Sequence, residues 1–403
     1  MDLKKVRQDF PILEPRDRKQ AITYFDNACQ SLRPRAVLDA INAYYLQSSA
    51  CSGRSMHRLA DEVTRSCDQA RVAVANFLNA SRKEEIVFTR NTTEGINLVA
   101  NSLDWQKDDV VLVSDKEHNS NLLPWQSLRQ KRGVILKIVP SQRDNSFDLA
   151  AYENLLDRKV RLVSLAGTSN LDGVSIPARE IIRMAHQNGS LVLLDAAQTA
   201  PRAGIDVRAL EVDFLALSGH KILGPSGTGV LYGKYGLLEQ LEPFLVGGGT
   251  VFSTTYDSSE FLPPPDKFEA GLQDYAGIIG LGAAVKYLES IGFAAIQKQD
   301  LLLNQFITDQ LKDIPRLRLI GPDDPQQRGG IFSFYLPGVD SHRIALMLDQ
   351  MAGIMVRSGQ HCVHSWFNAH KIEGSVRASL YFYNTLEEAE LFVDSLHKIS
   401  RVL

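Results

Sequence analysis

A chain of 403 residues with 44 Lys+Arg against 47 Asp+Glu has a formal net charge of -3, which offers nothing to a nucleic acid or an anionic membrane surface. Its 44% hydrophobic, 8% aromatic and 23% charged residues exclude disorder over most of the length, and at about two to three times a roughly 150-residue domain, two domains are expected. Four scattered cysteines, Cys29, Cys51, Cys67 and Cys362, exclude a disulfide framework and are read as free thiols.

From the amino end, MDLKKVRQDFPILEP has a basic start but no apolar stretch or small-residue cleavage site, so no signal peptide is read and a cytoplasmic location is expected. Between about residues 21 and 292, short β-branched or Leu-rich runs alternate with amphipathic stretches. Runs at 86–89 (IVFT), 110–113 (VVLV), 162–165 (LVSL), 191–194 (LVLL), 214–217 (FLAL) and 229–232 (GVLY) predict fully buried strands, with helical or loop segments between the first five. That pattern predicts a mostly parallel sheet covered by helices on both faces, an α/β architecture. Pro263-Pro-Pro265 marks a loop, and residues 276–290 have helical character and are placed between domains. A helix at 301–311, strands at 317–320 and 331–336, a helix at 341–351, a strand at 376–381 and a last helix from 386 then predict a smaller α+β domain. The longest apolar stretch, near 278–285, falls well short of the ~20 residues that span a bilayer.

In such sheets ligands gather beyond the carboxyl ends of the strands, so the residues there carry the chemistry. After the first strand, Arg90-Asn-Thr-Thr-Glu-Gly95 opens a helix whose free N–H groups and Thr92 and Thr93 hydroxyls suit a phosphate ester or, equally, an ordinary cap. Asp115-Lys-Glu-His118 places a histidine able to stack on a ring or move protons, and Asn170 adds an amide at the same end of the sheet. Leu194-Asp-Ala-Ala-Gln198 presents a strand-end acid that is either a helix cap or the partner of a ring N–H, with Gln198 three residues on. Ser218-Gly-His-Lys221 places a lysine amid small and phosphate-binding residues, where a Schiff base to an aldehyde cofactor needs it.

This ordered set resembles the fold-type I pyridoxal-phosphate enzymes of the class V aminotransferase branch. Val356-Arg-Ser-Gly-Gln-His-Cys362 and Ser375-Val-Arg-Ala-Ser-Leu-Tyr-Phe-Tyr-Asn-Thr385 narrow the resemblance to the group II (Suf-type and Csd-type) cysteine desulfurases and their selenocysteine lyase relatives. It extends from Tyr24-Phe-Asp-Asn-Ala28 to the last helix and implies a large cofactor domain at 20–282. A small domain of 1–19 and 283–403 would carry the catalytic cysteine.

The resemblance also implies roles. Lys221 matches the Schiff-base lysine, Asp195 the pyridine-nitrogen partner, Gln198 the residue near the ring hydroxyl and His118 the stacking histidine. Thr93, Ser218 and His220 match phosphate ligands, with the Thr92 backbone nearby. Arg377 matches the clamp on the substrate carboxylate, assisted by Arg357 and Asn170, and Cys362 matches the nucleophile that takes sulfur from L-cysteine as a persulfide, leaving L-alanine. A homodimer, a Suf-type sulfur acceptor and a place in iron–sulfur cluster assembly are further implications. Selenocysteine lyase or cysteine-sulfinate desulfinase activity on the same scaffold is the alternative, and a catalytically silent scaffold for a Suf-type partner is the remote one. A metal site at His361-Cys-Val-His364 lacks a second ligand pair at zinc spacing, so no metal is expected. The chain departs from the family in having Leu272-Gln273 where a threonine commonly follows Phe268-Glu-Ala-Gly271, and Asn119 where a second histidine is usual. Cys29 and Cys51 also fall in segments matching pocket-lining regions.

Overall fold

The computed structural model describes residues 1–14 and 22–403. Its central sheet is built from β1 (Ile86–Thr89), β2 (Val110–Ser114), β3 (Ile135–Val139), β4 (Val160–Ala166), β5 (Leu191–Asp195), β6 (Phe214–Ser218) and β7 (Gly229–Gly233), in the order β1-β7-β6-β5-β4-β2-β3. Val110 and Leu112 enter the core on one face, and Val111 and Val113 the core on the other. Burial on both sides is why these strands read as uninterrupted apolar runs.

All six expected strands form, and the sheet is parallel except for β7, which runs antiparallel to both β1 and β6. Only residues 219–228 join β6 to β7, too few for the dozen or more that a parallel crossover needs. The central-sheet strand absent from the sequence reading is β3. It lies at the sheet edge, where Ile135 and Ile138 remain 39% and 43% exposed and Lys137 interrupts the apolar run.

Helices α1 (Arg35–Gln47) and α2 (Arg58–Phe77) lie against α4 (Tyr275–Ile291), and α3 (Thr92–Ser102) follows β1. The approach of α4 to α2 depends on Gly282, since a Cβ there would sit 2.8 Å from the Cα of Ala70. At Gly292, with φ of 80°, the chain bends by 73° into α5 (Phe293–Leu311). Sequence reading started this helix at 301 because Gln297, Lys298 and Gln299 mask the buried stripe that begins at Ile296. Among the described residues no single helix is long and apolar enough to cross a membrane.

A second, antiparallel sheet has the order β8-β9-β11-β10, formed by β8 (Arg318–Ile320), β9 (Ile331–Tyr335), β10 (Arg357–Gly359) and β11 (Ser375–Ser379). With α6 (Ser341–Ala352) and α8 (Leu386–Ser400) it encloses its own core, including Phe332, Phe334, Ile344 and Phe392. The short α7 (His364–His370) lies beside it. Thr23–Tyr24 pairs in parallel with Ile354–Met355, and Asp26 bridges to Ser379, so the segment carrying Asp26 and Cys29 is fastened to this sheet. The expected division at 282/283 falls inside α4, and the one at 19/20 lies outside the described residues.

Replacing Gly282 by alanine is expected to lower stability by about 1–3 kcal/mol, because the added methyl meets backbone that cannot give way. The urea unfolding midpoint of the purified variant against wild type measures it.

Candidate functional site

A cavity of about 210 Å³ opens at the carboxyl ends of β2, β4, β5 and β6 and the start of α3. It is lined by every candidate side chain named from the sequence except Cys362.

One wall is an anion cradle. The Asn91 side chain caps α3 by accepting from Glu94 N at 3.0 Å, which leaves Thr92 and Thr93 in the first turn. Thr92 N donates to Ser218 Oγ at 2.9 Å, the Thr92 and Ser218 hydroxyls lie 2.7 Å apart, and Thr93 Oγ1 lies 2.7 Å from Ser120 Oγ. This join requires glycine at the start of β7, because a Cβ on Gly229 would come within 2.5 Å of the Asn91 Cα. His220 completes the wall, its imidazole pushed down to about 4 by burial and then by Lys221 and Arg33.

The floor holds Asp195 and Lys221. Asp195 Oδ1 accepts from Ala197 N at 2.9 Å, and Gln198 Nε2 donates to Ala28 O at 2.7 Å. Burial raises the Asp195 carboxyl and lowers the Lys221 amine, while attraction between the two opposes both shifts. Lys221 makes no hydrogen bond among the described residues, and Arg377 and Arg357 further disfavour its charge. An amine with its proton weakly held and no partner is poised to react with a carbonyl.

His118 accepts at Nδ1 from Ser120 N at 3.1 Å. Burial, then the cations Lys221, Arg377 and Arg357, push it down to about 3, so the ring is neutral at ordinary pH. Behind it stands Glu117, which sequence reasoning passed over. Its carboxylate accepts from Ser114 Oγ at 2.6 Å, Asn121 Nδ2 at 2.7 Å and Ala166 N at 3.1 Å, tying the end of β2 to that of β4. Burial raises it to about 7 against these three donors. The acid beside His118 was visible in the sequence, but nothing there told it from a solvated one.

The far wall comes from the small sheet. Arg357 and Arg377 stand directly opposite each other on β10 and β11. Like charges in that position repel, and among the described residues the only ion pair of either is Arg377 with Asp26, at 3.5 Å. An anion between them is the natural compensation. Arg377, 1% exposed, also donates from Nη1 to Asn170 O at 3.0 Å, and Asn170 Nδ2 donates to His361 O at 2.8 Å. Cys362 lies at the rim, where Arg357 Nη2 donates to its Sγ at 3.6 Å and Asn119 N donates to its carbonyl at 2.7 Å.

Of the residues in doubt, Cys29 lines the cavity, whereas Cys51 packs at the edge of the large core. Cys67 is buried in α2, where burial pushes its thiol up to about 12. Leu272 is exposed and lines a separate cavity of about 410 Å³. Among the described residues no cluster of three metal-ligating side chains occurs.

The family model for class-V aminotransferases matches residues 23–392. The chain belongs to this family. Among its relatives, a probable cysteine desulfurase from Synechocystis sp. is 42% identical over 98% of this chain and 95% of its own length. The solved apo structure of a cysteine desulfurase from Thermococcus onnurineus superposes with a TM-score of 0.94 at 37% identity, covering 99% of this chain and 98% of that one. A further solved structure, a mutant of C-DES with glycine covalently linked to its pyridoxal-phosphate cofactor, matches at 25% identity with a TM-score of 0.83, covering 97% of this chain and 98% of that one.

Because the Glu117 carboxyl is raised when folded, its contribution to stability is full below about pH 4.5 and is lost as pH rises through about 7. Denaturant unfolding of wild type and Glu117→Gln across that window is expected to show this component in wild type alone.

Proposed function

We propose that this protein is a pyridoxal-phosphate-dependent cysteine desulfurase that converts L-cysteine to L-alanine and carries the sulfur as a persulfide on Cys362. The observation that carries the reading is the Arg357 guanidinium, which lines the Lys221 cavity and also meets the Cys362 sulfur at 3.6 Å.

The residues present fit the cofactor in charge and polarity. Thr92, Thr93, Ser218 and His220 would hold its phosphate, Asp195 its ring nitrogen, His118 a ring face and Lys221 its aldehyde carbon, with Gln198 beside the ring hydroxyl. When bound, pyridoxal phosphate supplies an electron sink for bonds at the substrate α-carbon. Arg377, assisted by Arg357 and Asn170, would fix the substrate carboxylate. Lys221, its proton weakly held, would take and return the substrate α-proton. His118, neutral and hydrogen-bonded at Nδ1, is left with Nε2 for proton exchange. The Cys362 thiolate takes the substrate sulfur, the S–S bond forming as the C–S bond breaks, and the carbon gains a proton to give alanine. The Arg357 guanidinium compensates the charge on the attacking sulfur.

As a domain reading, residues 20–282 would carry the cofactor, and 1–19 with 283–403 the nucleophile. A homodimer is supported by Leu245 and Leu272, apolar and 45% and 64% exposed on the wall of one cavity. A Suf-type protein that accepts the persulfide for iron–sulfur cluster assembly, in the cytoplasm, follows from the group II character of the Cys362 segment.

Cys362→Ala is expected to lower alanine and persulfide formation from L-cysteine on the order of 10²-fold or more. Retained cysteine turnover would remove the assigned nucleophile, and loss for cysteine with retention for selenocysteine would mark dual activity. Arg377→Lys is expected to raise KM roughly 10–100-fold with a smaller fall in kcat, since an ammonium cannot replace the guanidinium fork on a carboxylate. Steady-state alanine production measures both.

A further inference from the structure

A second cavity of about 710 Å³ lies behind Thr168, a residue that lines the Lys221 cavity as well. Its walls come from the segments after β4 and β5, from α5, and from the loop before β9. Two arginines line it, Arg202 and Arg328, only 8% and 5% exposed. Arg202 is largely satisfied, with an ion pair to Asp300 and a hydrogen bond from Nη2 to Leu380 O at 2.6 Å.

Arg328 differs. Its Nη2 donates to Thr308 Oγ1 at 2.7 Å, but Nε and Nη1 have no partner, and no carboxylate stands within ion-pair distance among the described residues. The negative charges that act on it most are Asp172, Asp323 and Asp324. Asp172 is already bound to Lys116 at 2.8 Å, and Asp324 accepts from Gln326 N at 2.9 Å. Burial lowers the Arg328 guanidinium to about 10, so it stays a cation at neutral pH. The Phe332 ring, 5.3 Å from Arg328 Cζ, meets the face of the cation but none of its N–H groups, and two unpaired buried N–H groups are costly unless something compensates them. Arg202 Nε and Asp300 Oδ1 are unpartnered as well, a donor and an acceptor in the same region.

We propose that this cavity binds a phosphate-type oxyanion that carries its own O–H. The Arg328 and Arg202 guanidiniums meet its oxygens, Asp300 Oδ1 accepts from its hydroxyl, and the hydroxyls of Thr168, Ser175 and Thr199 lie around it. Those hydroxyls already form a chain, with Thr168 Oγ1 2.9 Å from Ser175 Oγ and 3.0 Å from Thr199 Oγ1. In this conformation the free N–H groups are closed off from water. Engaging the ligand therefore turns the Arg328 side chain toward the cavity, exchanging the bond to Thr308 and the contact with the Phe332 ring for charge-assisted bonds to the anion. The chemistry is common to free phosphate and to phosphate esters.

Calorimetric titration of the holoenzyme with inorganic phosphate, and separately with glycerol phosphate, at constant ionic strength in chloride, tests the site. The holoenzyme keeps the Thr93 and Ser218 cradle occupied, and no turnover is needed, so the result stands apart from the desulfurase reading. One anion per chain is expected in wild type, bound at least roughly tenfold more weakly by Arg328→Gln, in line with the loss of charge-assisted hydrogen bonds. The tighter of the two anions identifies the source. Equal isotherms for wild type and variant, or no binding of either anion, overturn the proposal. Should Arg328→Gln fail to fold, wild-type holoenzyme crystals soaked in arsenate decide. An anomalous peak beside Arg328 supports the site, and a peak only at Arg377, or none, removes it.

Discussion

A buried guanidinium joins the two sheets. Arg377 sits on β11 of the small sheet, 1% exposed, yet its hydrogen bonds run to Asn170 O beyond β4 and to Asp26 in the amino-terminal segment. A charge so deep survives only when its donors are met, and its Nε remains without a partner even so. The same residue thus holds the layers in register and keeps a cation at the wall of the cavity. The junction between the sheets and the charge of the cavity wall draw on one side chain, so neither can be altered without the other.

The loop that carries Cys362 depends on that junction. His361 and Cys362 both lie in the left-handed region, with φ of 50° and 61°, a conformation costing non-glycine residues of order 1–3 kcal/mol each. Each carbonyl is held from the large sheet, His361 O by the Asn170 side chain and Cys362 O by the Asn119 backbone. His361 is further anchored by Nε2 to Ser375 Oγ at 2.8 Å. The strain is offset by bonds that exist only when the sheets are docked, which keeps the sulfur at the rim facing Arg357. Asn119, where the family usually has histidine, contributes its side chain too, 3.0 Å from His364 Nδ1 at the start of α7.

Electrostatics inside the cavity follow from burial. Lys221, Arg357 and Arg377 crowd one small space, and their summed field, added to desolvation, holds His118 neutral. Asp195 in the cavity and Asp26 beside it each stand opposite a cation, Lys221 and Arg377. Cys29 adds a thiol within the field of Lys221 and Arg377, the cysteine that lines the cavity itself.

Local pattern alone determined the fold class and most of the cavity. Uninterrupted runs such as VVLV at Val110 report burial on both faces, and Ser218-Gly-His-Lys221 and Leu194-Asp-Ala-Ala-Gln198 sit where parallel strands must end. Pattern failed where burial is partial or absent: β3 at the sheet edge, and β10, whose Arg-Ser-Gly has no apolar signal. Partners distant in the chain were decided only by the tertiary structure. Glu117 reads as an ordinary acid until Ala166 and Asn121 close on it, Cys29 and Cys51 read alike until only one meets the cavity, and Arg328 reads as a loop arginine until folding buries it without a carboxylate. Desolvation and the partners that relieve it are properties of the packed chain, and no short window of sequence contains them.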